Sequence, residues 1–166
     1  MKIDTLEKLY VEELRDLYSA ENQILKVLPK MAKKATAPML KAAFETHLKE
    51  TKGQVERLET IFKQLGKSPK GKTCKAMEGL VEEGSELMSE DIDPEVLDAG
   101  LIAAAQRVEH YEMAGYGTVR TYAELLHQTD AAQLLQETLN EEGKTDKALT
   151  KLAESGINIE AVHAKV

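Results

Sequence analysis

A chain of 166 residues fits one domain large enough to bury a real core, and its net charge of −7 argues against a nucleic-acid backbone as the main partner. The lone Cys74 excludes an intramolecular disulfide, and no apolar run reaches the ~18–20 residues of a membrane span. With no apolar segment of a secretion signal in MKIDTLEKLYVEEL, the expectation is a soluble cytoplasmic protein; few aromatics (4%) and many Ala, Leu, Glu, Lys and Gln predict aliphatic helix-on-helix packing.

Asp4 and Glu7 read as a D-x-x-E capping box that opens a first helix running to about Ala35. Its inward stripe is Leu6, Tyr10, Leu14 (or Glu13), Leu17, Glu21, Ile24, Leu28 and Met31, at the spacing of an amphipathic helix. Pro29 predicts a kink there or a break nearby, because proline lacks an N–H and clashes with the carbonyl four residues back. Pro38 starts a second helix that stops at Gly66. The basic KSPKGK stretch is read as a solvated loop. Residues 74–89 form a shorter helix with Met77, Leu80, Val81, Leu87 and Met88 on its apolar side. Asp93-Pro94 begins another long helix that runs to about Leu126, and Thr129 or Asp130 caps the last one, which ends near Gly156. The final ten residues read as a loosely held tail. The fold class is all-α, a four-helix bundle in one domain over residues 1–166. One antiparallel hairpin covers about 4–66, a second covers about 93–156, and the short helix lies in the crossover between them.

The two hairpins repeat one another at an offset of 91 residues. Glu21 and Glu50 map onto Glu112 and Glu141, and Leu17, Leu28, Phe44, Leu48 and Leu58 map onto Val108, Val119, Leu135, Leu139 and Leu149. The midpoint of each glutamate pair falls at its own hairpin turn, so the two members of a pair sit level, near mid-bundle. Glu21 and Glu112 lie on the apolar stripes, while Glu50 and Glu141 lie one position to the side and can still turn inward. Glu109 is one turn before Glu112, Glu142 lies on the last helix's stripe, and His47 and Gln54 flank Glu50 by one turn. An unpaired buried carboxylate costs several kcal/mol, so such a cage needs a cation or protons. Glu21, Glu50, Glu112 and Glu141 or Glu142 are the candidate metal ligands. His47 is either a ligand or a hydrogen-bonded core histidine; Glu109 and Glu142 are either ligands or acceptors that hold ligands in place. Gln54, Thr145 and Tyr18 are candidates to steady the carboxylates by hydrogen bonding, as is Tyr111, although tyrosine in a helical core usually only packs. His110 points about 100° away from Glu109 and is the weaker ligand candidate. Oxygen-rich ligation with an imidazole suits Fe or Mn, and the charge is enough for one or two divalent ions per chain. Two such ions can activate a bridging oxygen species, which points to peroxide disproportionation, Fe²⁺ oxidation or O₂ reduction.

The stretches YSAENQ (18–23), HLKETKGQ (47–54), CKAMEGLVEEG (74–84), DAGLIAAAQRVEHYEMAGYGTV (98–119) and LLQETLNEEGKTDKALTKLA (134–153) resemble the YciF/YciE-type bacterial stress proteins, a ferritin-like domain family. The resemblance spans nearly the whole chain. It implies a ferritin-like bundle, a homodimer, a role in the stress response and a relationship to rubrerythrin and other di-iron proteins. In the wider ferritin-like pattern each hairpin carries a Glu on its first helix and Glu-x-x-His on its second. Glu21 matches one first-helix position, and Glu109 or Glu112 the other. Both Glu-x-x-His motifs are absent, since Glu50 is followed by Gly53, and Glu141 and Glu142 by Lys144 and Thr145. Two functions from different classes follow: a di-metal protein acting on peroxide or Fe²⁺, or a non-catalytic structural or stress protein whose carboxylate cluster is vestigial or only structural.

Overall fold

The computed structural model describes residues 2–164, which contain no β-strand. Helix α1 spans Leu6–Lys34, α2 Pro38–Leu65, α3 Lys75–Ser89, α4 Pro94–Leu125 and α5 Thr129–Leu152. The chain continues through one π-helical turn, Ala153–Ile157, into α6, Asn158–His163.

Local chemistry sets most of these boundaries. The N-cap of α1 is Thr5, whose hydroxyl accepts from Lys8 N at 3.2 Å, while Asp4 instead pairs with Lys8 Nζ at 2.6 Å. The N-cap therefore lies one residue later than the Asp4 expected from the sequence. α1 passes through Pro29 as one continuous helix, so no break occurs there. Pro38 occupies the first turn of α2, and Gly66 ends that helix at φ 61°, a left-handed conformation that a side chain would strain. Residues 157–163 of the expected tail are helical; α6 lies against α4 without a buried residue, and Ile157 packs against the apolar core. Residues 165 and 166 of that expected tail lie outside the described residues.

α1, α2, α5 and α4 form the four sides of the bundle, with α1 against α2 and α4, and α5 against α2 and α4. α3 lies along the α1–α4 side. Its apolar residues find cover within the chain: Met77 and Met88 are buried, and Leu80, Val81 and Leu87 pack against the core.

The 91-residue repeat is visible in the burial pattern. Buried Leu40, Phe44, His47, Thr51 and Leu58 of α2 correspond to buried Ala131, Leu135, Thr138, Glu142 and Leu149 of α5. Buried Tyr10, Glu21 and Leu28 of α1 correspond likewise to Leu101, Glu112 and Val119 of α4. The apolar interior divides into two clusters, one built around Ile24, Leu28, Phe44 and Leu101 and the other around Leu14, Leu58, Tyr116 and Leu135. Between them, at mid-height on the helices, lies a layer of buried polar side chains.

The turn between α1 and α2 is fixed by a residue of α4. Asp98, buried, accepts from Thr36 N at 2.9 Å, Thr36 Oγ1 at 2.7 Å and Ala37 N at 2.7 Å. The carboxylate thereby satisfies donors at the start of α2 and favours the positive end of that helix.

Candidate metal centre

The polar layer contains Glu21, His47, Thr51, Gln54, Glu109, Glu112, Thr138 and Glu142, each 3% exposed or less. Each occupies an inward position of its helix, because the apolar 3–4 spacing above and below leaves it no other direction. His47, Glu109, Glu112 and Glu142 bring one ligand atom each to within 4.8 Å of one another. His47 Nε2 lies 3.3 Å from Glu109 Oε1. Glu21 stands beside this set, and one of its oxygens accepts a hydrogen bond from the buried Tyr116 hydroxyl.

Many buried polar atoms here have no hydrogen-bond partner: both oxygens of Glu112, both of Glu142, Oε2 of Glu21, Oε2 of Glu109, Oε1 of Gln54 and Nδ1 of His47. Buried polar groups in folded proteins are normally hydrogen-bonded, and a metal ion or shared protons would satisfy this concentration of them. Burial, reinforced by mutual repulsion, holds Glu21, Glu109 and Glu112 well above the usual carboxylate range, and burial pushes Glu142 up to about 7. Burial drives His47 the other way, down to about 4, which leaves a neutral imidazole free to donate a lone pair. Such a cluster holds either protons or a cation. Three carboxylates and one neutral imidazole are a donor set that fits iron or manganese.

Glu50 and Glu141 remain equivalent by the repeat but stand at the margin of the layer, with side chains 21% and 26% exposed. Arg57 holds Glu141 in a two-pronged pair, Nη1 to Oε2 at 2.7 Å and Nη2 to Oε1 at 2.6 Å. Gln54 donates to Glu141 at 3.2 Å, and the equivalent Thr145 donates to Glu50 at 3.4 Å, so each hairpin steadies the other's marginal glutamate. The inward glutamate of α5 is Glu142. Its counterpart on α2 is not Glu50 but Thr51, whose hydroxyl bonds its own helix at His47 O, 2.9 Å. Of the candidate ligands read from the sequence, the structure brings together His47, Glu109, Glu112 and Glu142, with Glu21 beside the set and Glu50 and Glu141 at the margin.

Tyr18 does not steady the cluster, because its hydroxyl is directed outward to Glu59 at 3.0 Å. Tyr111 bonds Asp16 and lies 3.0 Å from Cys74 Sγ, also away from the cluster. His110 pairs with Asp146 near the surface. Sequence reasoning passed over Tyr116, the residue that bonds Glu21. Its signal was present, since Tyr116 falls one turn after Glu112 on the stripe Ala105, Glu109, Glu112, Val119.

Comparison with known proteins agrees with this architecture. The chain is 46% identical to protein YciF of Escherichia coli strain K12 over 97% of its own length and 98% of that protein's. The crystal structure of the E. coli stress protein YciF superposes with a TM-score of 0.89 at 45% identity, covering 98% of this chain and all of that one. A Rhodopseudomonas palustris protein, provisionally described as structural, superposes at 0.87 with 46% identity over 90% of this chain and 95% of that one. A Xanthomonas campestris protein of 19% identity shares the fold at a TM-score of 0.78, over 96% of this chain and 97% of that one. Among the described residues no helix is long and apolar enough to cross a membrane. With the family model matching residues 5–162, the chain belongs to the family described as Domain of unknown function (DUF892), whose members include YciF.

Proposed function

We propose that this chain is a metal-binding protein of the stress response, whose buried centre takes one or two iron or manganese ions and acts on peroxide or Fe²⁺. One observation carries the reading: the buried side chains of His47, Glu109, Glu112 and Glu142 bring one ligand atom each to within 4.8 Å of one another, and most of their polar atoms have no hydrogen-bond partner. His47, Glu109, Glu112 and Glu142 would hold the metal, with Glu21 beside them. Iron or manganese, when bound, supplies the one-electron chemistry that oxidation of Fe²⁺ or breakdown of peroxide requires. The chain's own contribution is positional. The two apolar clusters keep bulk water from the layer, and the depressed basicity of His47 keeps its imidazole available as a ligand.

The homodimer expected from the family is also proposed. Its support is the resemblance alone, since the apolar face of α3 is covered by the chain itself. Light scattering that finds a monomer at micromolar concentration refutes it.

A second reading is a non-catalytic structural protein whose glutamates are simply protonated. The raised carboxylate values and the description of the R. palustris relative favour it. Elemental analysis separates the two. Bound iron or manganese of at least one equivalent per chain, lost in the double variant Glu21→Gln/Glu112→Gln, supports the metal reading. No bound metal in protein purified without chelator, and none after incubation with Fe²⁺ or Mn²⁺, leaves the structural one.

A further inference from the structure

The repeat makes a symmetric, two-ion centre the simplest expectation, and the side chains depart from it in one consistent direction. Four of the repeat-related pairs that face or flank the polar layer are Tyr18 with Glu109, Glu21 with Glu112, His47 with Thr138, and Thr51 with Glu142. The second hairpin places a glutamate at three of its four positions. The first hairpin places one, Glu21, and contributes His47, whose Nε2 reaches Glu109 of the other hairpin.

Two of the remaining first-hairpin positions are already committed. Tyr18 is turned to Glu59, and the Thr51 hydroxyl is bonded to its own helix. On α5, Thr138 Oγ1 accepts from Arg57 Nη1 at 3.2 Å. Glu50 stands at the margin between Thr145 and Lys144. Glu21 gives one oxygen to Tyr116, a fully buried hydroxyl aimed at it from α4. A second ion, displaced toward the first hairpin, would meet one free carboxylate oxygen, the other of Glu21, and the neutral amide oxygen of Gln54.

Resting on the metal reading above, we propose that the centre is asymmetric. One ion is held tightly by His47, Glu109, Glu112 and Glu142, and Tyr116 is the positioning residue that keeps Glu21 out of a second, equivalent site. The two halves of the repeat have thereby parted: one keeps the ligands, and the other supplies packing and hydrogen bonds around them.

The test is Mn²⁺ binding to metal-free full-length protein, followed by stoichiometry and by electron paramagnetic resonance of the bound ion. Wild type is expected to bind one equivalent with the six-line spectrum of an isolated Mn²⁺. Glu21→Gln is expected to retain that equivalent, and Glu142→Gln to lose it. Tyr116→Phe frees the second oxygen of Glu21, so affinity for a second Mn²⁺ should rise about tenfold or more, the effect of releasing a hydrogen bond to a charged group. Two tight, exchange-coupled ions in wild type overturn the inference and leave the metal reading standing, as does loss of the first ion in Glu21→Gln. No binding at all overturns both. An unchanged second affinity in correctly folded Tyr116→Phe removes the role given to Tyr116.

Discussion

Replacing Glu142 by Gln should stabilise the metal-free protein at high pH, although it deletes a proposed ligand. Glu142 is fully buried, and its carboxyl is raised to about 7, against an ordinary value of 4.5 that the unfolded chain restores. Between those values the native state binds the proton and the unfolded state does not, so the group's contribution to stability falls as pH rises from 4.5 to 7 and stays low above that. At about 1.4 kcal/mol per pKa unit, the penalty grows by about 2–3 kcal/mol between about pH 5 and about pH 8. The introduced glutamine does not titrate, so the cost of burying its amide is the same at both pH values and cancels in the comparison. Urea unfolding with chelator present, at about pH 5 and about pH 8, should therefore show the variant gaining about 2–3 kcal/mol on wild type between the two conditions. The same variant should lose its metal. Equal pH dependence in the two proteins would refute the claim that Glu142 is a buried, uncompensated carboxyl; undiminished metal content would refute its role as ligand.

Glu141→Gln and Glu50→Gln should leave metal content unchanged by elemental analysis, because both glutamates stand outside the convergent set. Metal-free wild type should lose melting temperature between about pH 6.5 and about pH 8. His47, lowered to about 4, contributes stability that has nearly all appeared once pH passes its unfolded value of 6.5, whereas Glu142, raised to about 7, loses the rest of its contribution across the window; calorimetry checks this, and bound metal should flatten the slope. Asp98→Ala strands three donors at the α1–α2 turn and should cost about 2–4 kcal/mol in chemical denaturation, without changing metal stoichiometry in the protein that remains folded. Gly115→Val should cost about 1–3 kcal/mol by thermal melting, since even a Cβ there would sit 2.7 Å from Leu17 Cδ2, where α4 packs against α1.

The sequence by itself determined the helices, their order and the depth of the polar layer. Proline at the starts of α2 and α4, glycine after α2 and the 3–4 spacing of apolar residues are local signals, and a 91-residue repeat converts them into two level hairpins. Glu21, Glu112, Glu142 and His47 were legible on the same ground, each lying on an apolar stripe, although Glu141 stayed open as the alternative to Glu142. Tertiary structure decided what a stripe leaves ambiguous. Adjacent residues on a helix differ by about 100°, so Glu141 and Glu142 can each compete for the interior. Arg57, arriving from α2, settles the matter by pairing with Glu141 at the margin, and the uncharged Thr51 opposite leaves Glu142 the inward place. The Thr36–Asp98 and Glu21–Tyr116 bonds join residues 62 and 95 apart, beyond the reach of any local spacing rule. Helical periodicity fixes which face of a helix looks inward. Which carboxylate there stays unpaired, and so remains free for a cation, depends on donors carried by other helices.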